Sequence, residues 1–72
     1  MRSGWQQRLA LRVMRSRLGK GCSRATWARM VDVGITTVQN YELGKSVASV
    51  EYIIACVKLE GTDWSTWWTD VL

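Results

Sequence analysis

The stretch SRATWARMVDVGITTVQNYELGK, residues 23–45, decides how the rest of the chain is read. In its first half Ala25, Trp27, Ala28 and Val31 recur at spacings of one to four, which puts Ala28 and Val31 on one face, and Ser23 offers a hydroxyl to cap the start. That predicts a short helix of about two turns. Asp32-Val33-Gly34 interrupts it: aspartate tolerates a left-handed turn, Val33 can point inward, and Gly34 lets the chain restart at close range. A second short helix follows, in which Val38 and Tyr41 can pack inward while Ile35, Thr36, Gln39 and Asn40 fall toward the other side, and Gly44 ends the run. Two short helices joined by a tight turn, the second exposing amides and hydroxyls, describe a helix-turn-helix over about residues 23–43.

Upstream, Trp5, Leu9 and Val13 step by four, with Ala10 and Met14 beside them and Arg8, Arg12 and Arg15 on the polar side, so a helix is predicted from Trp5 to about Leu18 after a loose lead-in. Gly19-Lys20-Gly21 breaks it. Downstream, Ser49 and Glu51 open a helix whose buried stripe is Val50, Ile53, Ile54 and Val57, though Tyr52 stands where a capping box would want an acid. Thr62-Asp63 can cap a last helix, about residues 63–71, with Trp64, Trp67, Trp68 and Val71 on one stripe. Three indoles on so short a helix either lie partly outside, as a dimer or partner surface, or together cap the core between the first and fourth helices. Every glycine falls at one of these boundaries, none in a helix interior, where each would cost about 1 kcal/mol against alanine. The expectation is an all-α, compact five-helix single domain over residues 1–72.

Cap, small residue, turn and Glu42-Leu43-Gly44-Lys45 at this fixed spacing resemble the phage repressor and Cro type of helix-turn-helix, the lambda-repressor-like DNA-binding domains. Ser23 to Gly61 can be laid on that pattern without a gap: Ser23 before helix 2, Ala28 where the two helices cross, Val31 and Val33 around the turn, Val38 in helix 3, and Ser49-Val50-Glu51 opening helix 4. Leu9, Val13 and Arg17 fit helix 1. The resemblance implies base contacts from Ile35, Thr36, Gln39 and Asn40, phosphate contacts from Arg24, Thr37 and Lys45, and a structural ion pair of Arg17 with Glu42, which spacing alone does not show. Departures are Trp27 for leucine, Leu43 for asparagine, Arg24 for glutamine, and Leu59-Glu60 near the end of helix 4.

Composition narrows the remaining possibilities. Seventy-two residues allow a single small core that buries roughly 60% of the unfolded chain's surface, so self-association is the natural supplement. Two cysteines and no histidine leave no plausible zinc site; no metal or cofactor is expected, and Cys22 and Cys56 read as buried free thiols of a reducing cytosol rather than a disulfide. The longest uncharged apolar run, Ile53 to Val57, is far short of the roughly 20 residues that span a bilayer, and no apolar signal core follows Arg2. Arg2, Arg8, Arg12, Arg15, Arg17, Lys20, Arg24 and Arg29 all precede the first acid, Asp32, and from Asp32 onward six acids face Lys45 and Lys58. That asymmetry reads either as a phosphate-neutralising face or as solvated arginines on amphipathic helices. No nucleophile has a base beside it and no glycine loop cradles phosphate, so an enzyme is not expected. What the resemblance implies, and this composition allows, is a cytoplasmic, Cro-like bacteriophage repressor, associated with the nucleoid when bound, that grips a palindromic double-stranded DNA operator as a homodimer. The alternative is a protein-binding module, an antitoxin or phage-encoded inhibitor, that uses the tryptophan-rich C-terminal helix.

Overall fold

Ser23 caps the helix that follows it: in the computed structural model, which describes residues 4–72, its Oγ accepts the Thr26 backbone N–H at 3.2 Å. Helix α2 runs Arg24–Met30 from that cap, and the turn Val31 to Gly34 leads into α3, Ile35–Glu42. Around this pair stand α1, Gly4–Gly19, and α4, Val50–Glu60, with α5, Trp64–Trp68, closing the chain. Five helices and no strand make up the described residues, within extents of 29 × 26 × 20 Å. Arg2 and the rest of the expected lead-in before Gly4 lie outside them.

The helices α1 to α4 stop in one way. Gly21, Asp32, Gly44 and Gly61 each take a positive φ, and the residue after each donates its N–H back to a carbonyl five positions earlier, as Val33 does to Ala28 at 3.0 Å and Lys45 to Asn40 at 2.9 Å. Such a left-handed cap satisfies carbonyls that the last turn leaves open. Asp32, at φ 59°, is the non-glycine member of the set, and the turn's tightness comes from it. Gly34 contributes differently from the sequence reading: it has φ −72° and a side-chain carbon there would meet nothing closer than Thr37 Oγ1 at 4.0 Å. It starts α3 without having to permit a close approach.

Helix α1 packs on α3 and α4, α2 on α3, and α5 on α4. Leu9, Val13, Trp27, Val38, Ile53 and Trp67 meet in the centre. Trp27 is fully enclosed, and its Nε1 donates to the Tyr52 hydroxyl at 2.9 Å, so the indole's one polar atom is satisfied inside the core. That bond explains a correction in α4. Its buried residues are Tyr52, Ile53, Cys56 and Val57, whereas Val50 and Ile54, expected in the stripe, are exposed. The covered face is rotated toward Tyr52, whose ring meets Tyr41 edge-on at 4.8 Å.

A second correction concerns α1. Trp5 is exposed, and Arg12, expected on the polar side, is buried at 5% exposure together with Ser16. The reason lies far along the chain: Arg12 forms two 3.0 Å contacts to the Glu60 carboxylate, donates Nε to the Trp67 carbonyl at 3.1 Å, and stacks 4.6 Å from the Trp67 ring. Trp67 Nε1 in turn donates to Glu60 at 2.8 Å and to the Ser16 hydroxyl at 3.0 Å, and Ser16 donates to Glu60. A buried charge pair is tolerated only when its remaining hydrogen-bonding groups are also satisfied, and this one is. It docks α5 onto α1 and α4.

The C-terminal helix is shorter than expected. Asp63 accepts the Thr66 N–H at 2.8 Å and α5 ends at Trp68, with Thr69 to Val71 forming a turn rather than a further helical turn. Cys56 is buried as a free thiol; Cys22, expected buried as well, is only half-buried because it lies in the loop before α2, its thiol 3.7 Å from the Lys20 carbonyl and 3.8 Å from Met30 Sδ.

Candidate nucleic-acid interface

Helix α3 has two unlike sides. Val38 is completely enclosed and Glu42 is 5% exposed, while Tyr41 is half-buried against Tyr52. Ile35, Thr36 and Gln39 are exposed, Ile35 at 50%; Asn40 and Thr37 are half-buried. An eight-residue helix is too short to hold itself in water, so the inward side fixes its direction and the outward side is carried as a rigid ridge. Isoleucine, threonine, glutamine and asparagine there supply methyl groups and an amide fork but no charge. They can read surface chemistry and cannot themselves neutralise phosphate.

The charges come from around the helix end. Glu42, at the last position of α3, takes Arg17 in a bidentate pair, Nε at 2.8 Å and Nη2 at 2.9 Å. Arg17 also donates Nη1 to the Cys22 carbonyl at 2.9 Å, and the Glu42 hydrogen bond raises its pKa above the ordinary arginine value. A third partner joins them: Arg24 donates Nε to Glu42 at 3.1 Å. The resemblance pairs Glu42 with Arg17 and sends Arg24 to phosphate; nothing local in the sequence marks the link of Arg24 to a glutamate 18 positions away. Lys45, just past the α3 cap, is exposed, as is Leu43.

The basic first half is not a free phosphate face. Arg12 pairs with Glu60, Arg15 with Asp70 at 2.5 Å, and Arg17 and Arg24 with Glu42, while Arg8 donates to the Val71 carbonyl at 2.7 Å. Three acids of the second half, Glu42, Glu60 and Asp70, fold back onto arginines of the first. Lys20, Arg29, Lys45 and Lys58 have no ion pair among the described residues.

At the C-terminal end Trp67 and Val71 are completely buried, so neither can belong to an outer partner surface: the Glu60 and Ser16 bonds draw Trp67 inward, and Val71 follows it into the core. Trp64 is exposed and Trp68 half-buried, and with Ser65 and Leu72 they line an open apolar groove of about 500 Å³. Trp68 Nε1 has no hydrogen-bond acceptor among the described residues.

Among the described residues no group of three or more cysteine, aspartate or glutamate side chains is placed to hold a metal, and no helix is long and apolar enough to cross a membrane. The chain matches no protein-family model, no curated protein and no solved structure.

Proposed function

We propose that this chain is a sequence-specific double-stranded DNA-binding regulator, a small Cro-like repressor that blocks a promoter by occupying its operator. The observation that carries the reading is the outward ridge of α3, with Ile35, Thr36 and Gln39 exposed at its start and Val38 and Glu42 anchoring its back. A helix of about 10–12 Å diameter fits a major groove about 12 Å wide, and the residues of its first turns come nearest the base edges. Gln39 or Asn40 would bond adenine N6 and N7, and Ile35 or Thr36 would meet a thymine methyl. Arg24, Thr37 and Lys45 would hold the backbone and fix register without reading sequence.

One module of this size reads few bases, so two copies would occupy a palindrome with half-sites about 34 Å apart. A body no longer than 29 Å leaves room for that arrangement. The groove of Trp64, Trp68 and Leu72 would supply the contact between copies, without Trp67 or Val71. The test is selection of duplexes from a random-sequence library. Enrichment of a palindromic motif, lost in the Gln39→Ala, Asn40→Ala double variant while helicity is kept, supports the reading. Failure of the folded protein to enrich any sequence overturns it.

The exposed Trp64 and the open apolar groove it lines with Trp68 and Leu72 favour a second reading, a module that grips a protein. Under it, activity would survive the α3 double variant and fall with Trp64→Ala.

A further inference from the structure

We infer that Glu42 is a positioning residue for Arg24: the carboxylate that locks α1 to α3 also aims a phosphate-clamping guanidinium at the DNA backbone. This rests on the DNA-binding reading above. The Glu42 side chain is fully buried, and a single guanidinium, that of Arg17, already neutralises it through both oxygens. The second, Arg24, leaves the group with one net positive charge. That charge sits on the outer member, whose side chain is 34% exposed, against 11% for Arg17.

Arg24 is held by Nε alone; its Nη1 and Nη2 have no hydrogen bond among the described residues. A guanidinium gripped at one edge keeps a planar pair of donors for a second oxyanion, and a phosphodiester offers two oxygens at matching separation. Because folding already restrains the side chain, less of its rotamer freedom is lost when DNA arrives. Lysine carries the charge on a single nitrogen, so it cannot hold Glu42 by one donor and still present a planar pair to the phosphate.

The experiment uses the full chain and the duplex enriched by the wild-type protein, with affinity measured by fluorescence anisotropy across a salt series and folding checked by circular dichroism. The variants are Arg24→Gln, Arg24→Lys, Glu42→Gln and the Arg24→Gln, Glu42→Gln pair. Arg24→Gln should weaken binding about tenfold and flatten the plot of log K against log salt by about 0.9 per protomer. Arg24→Lys should keep the salt slope yet lose most of the affinity. Glu42→Gln should do the same, and the pair should bind no more weakly than Arg24→Gln alone. Wild-type affinity in Arg24→Lys, or additive losses in the pair, would overturn the positioning role while leaving DNA binding intact. If Glu42→Gln does not fold, Arg24→Lys decides the matter alone. If no duplex is enriched, the DNA reading fails and the inference with it.

Discussion

Replacing Glu60 with glutamine removes one charge and almost no volume from the cluster that docks α5. Arg12 stays where it is, 5% exposed, with its carboxylate partner gone. Breaking a fully buried pair from one side costs about 3–5 kcal/mol, and because 24% of the Glu60 side chain reaches water the cost here drops to about 2–3 kcal/mol. A domain of this length has only about 4–11 kcal/mol in total, so the change should lower Tm by roughly 10–20 °C. Thermal unfolding followed by far-ultraviolet circular dichroism at pH 7 measures it.

The same substitution carries a pH signature. Burial alone would raise the Glu60 pKa, but the hydrogen bonds from Arg12, Ser16 and Trp67, with the Arg12 charge, more than offset it and hold the group below its usual 4.5. A carboxyl whose folded pKa is depressed contributes fully above the unfolded value and loses that contribution as pH falls through the folded one. Wild-type stability should therefore fall as the solution is acidified below 4.5, and Glu60→Gln should fall less steeply over that window. A loss under about 1 kcal/mol at pH 7, with an unchanged acid slope, would refute the assignment of a stabilising buried pair.

Trp27→Phe removes the donor to the Tyr52 hydroxyl inside the core and should cost about 1–3 kcal/mol in urea unfolding; adding Tyr52→Phe should then cost little more, since the stranded oxygen goes with it. Gly61→Ala meets no atom within 4 Å, so its expected cost of about 1–2 kcal/mol is the backbone strain of a side chain at φ 73° alone, readable in the same assay. Burial pushes the Cys56 thiol up to about 12, so a thiol-specific reagent should modify Cys22 alone in the native protein and both cysteines in denaturant.

What was legible in the sequence was local. Ser23, Ser49 and Asp63 cap the helices their neighbours begin, and Asp32 and Gly44 turn left-handed where each helix must stop. These signals act over three or four residues, which is the range at which side chain and backbone compete. Periodicity gave the existence of a buried stripe in α1 and α4 but not its rotation. Val50 and Ile54 satisfy the spacing as well as Tyr52 and Cys56 do, and only the Trp27 partner decides between them. The contacts that fix Arg12, Arg24 and Trp67 reach as far as 55 positions along the chain, so helical spacing puts Arg12 on the polar side and leaves the stripe of Trp67 and Val71 open between a partner surface and the core. The outward placement of Ile35, Thr36 and Gln39 followed from the inward Val38, because one well-anchored side of a short helix fixes the other.

The indoles of α5 form a chain of edge-on rings, Trp67 to Trp68 at 5.3 Å and Trp68 to Trp64 at 5.6 Å, with interplanar angles of 78° and 65°. Rings held that close and at fixed angles sit in asymmetric surroundings, so each of the three contributes to the near-ultraviolet dichroism of this segment. Trp27, paired with a tyrosine instead, stands apart from it. The molecule thus carries its own optical gauge: a partner settling over Trp64 alters the near-ultraviolet band of these indoles while the backbone spectrum stays as it was.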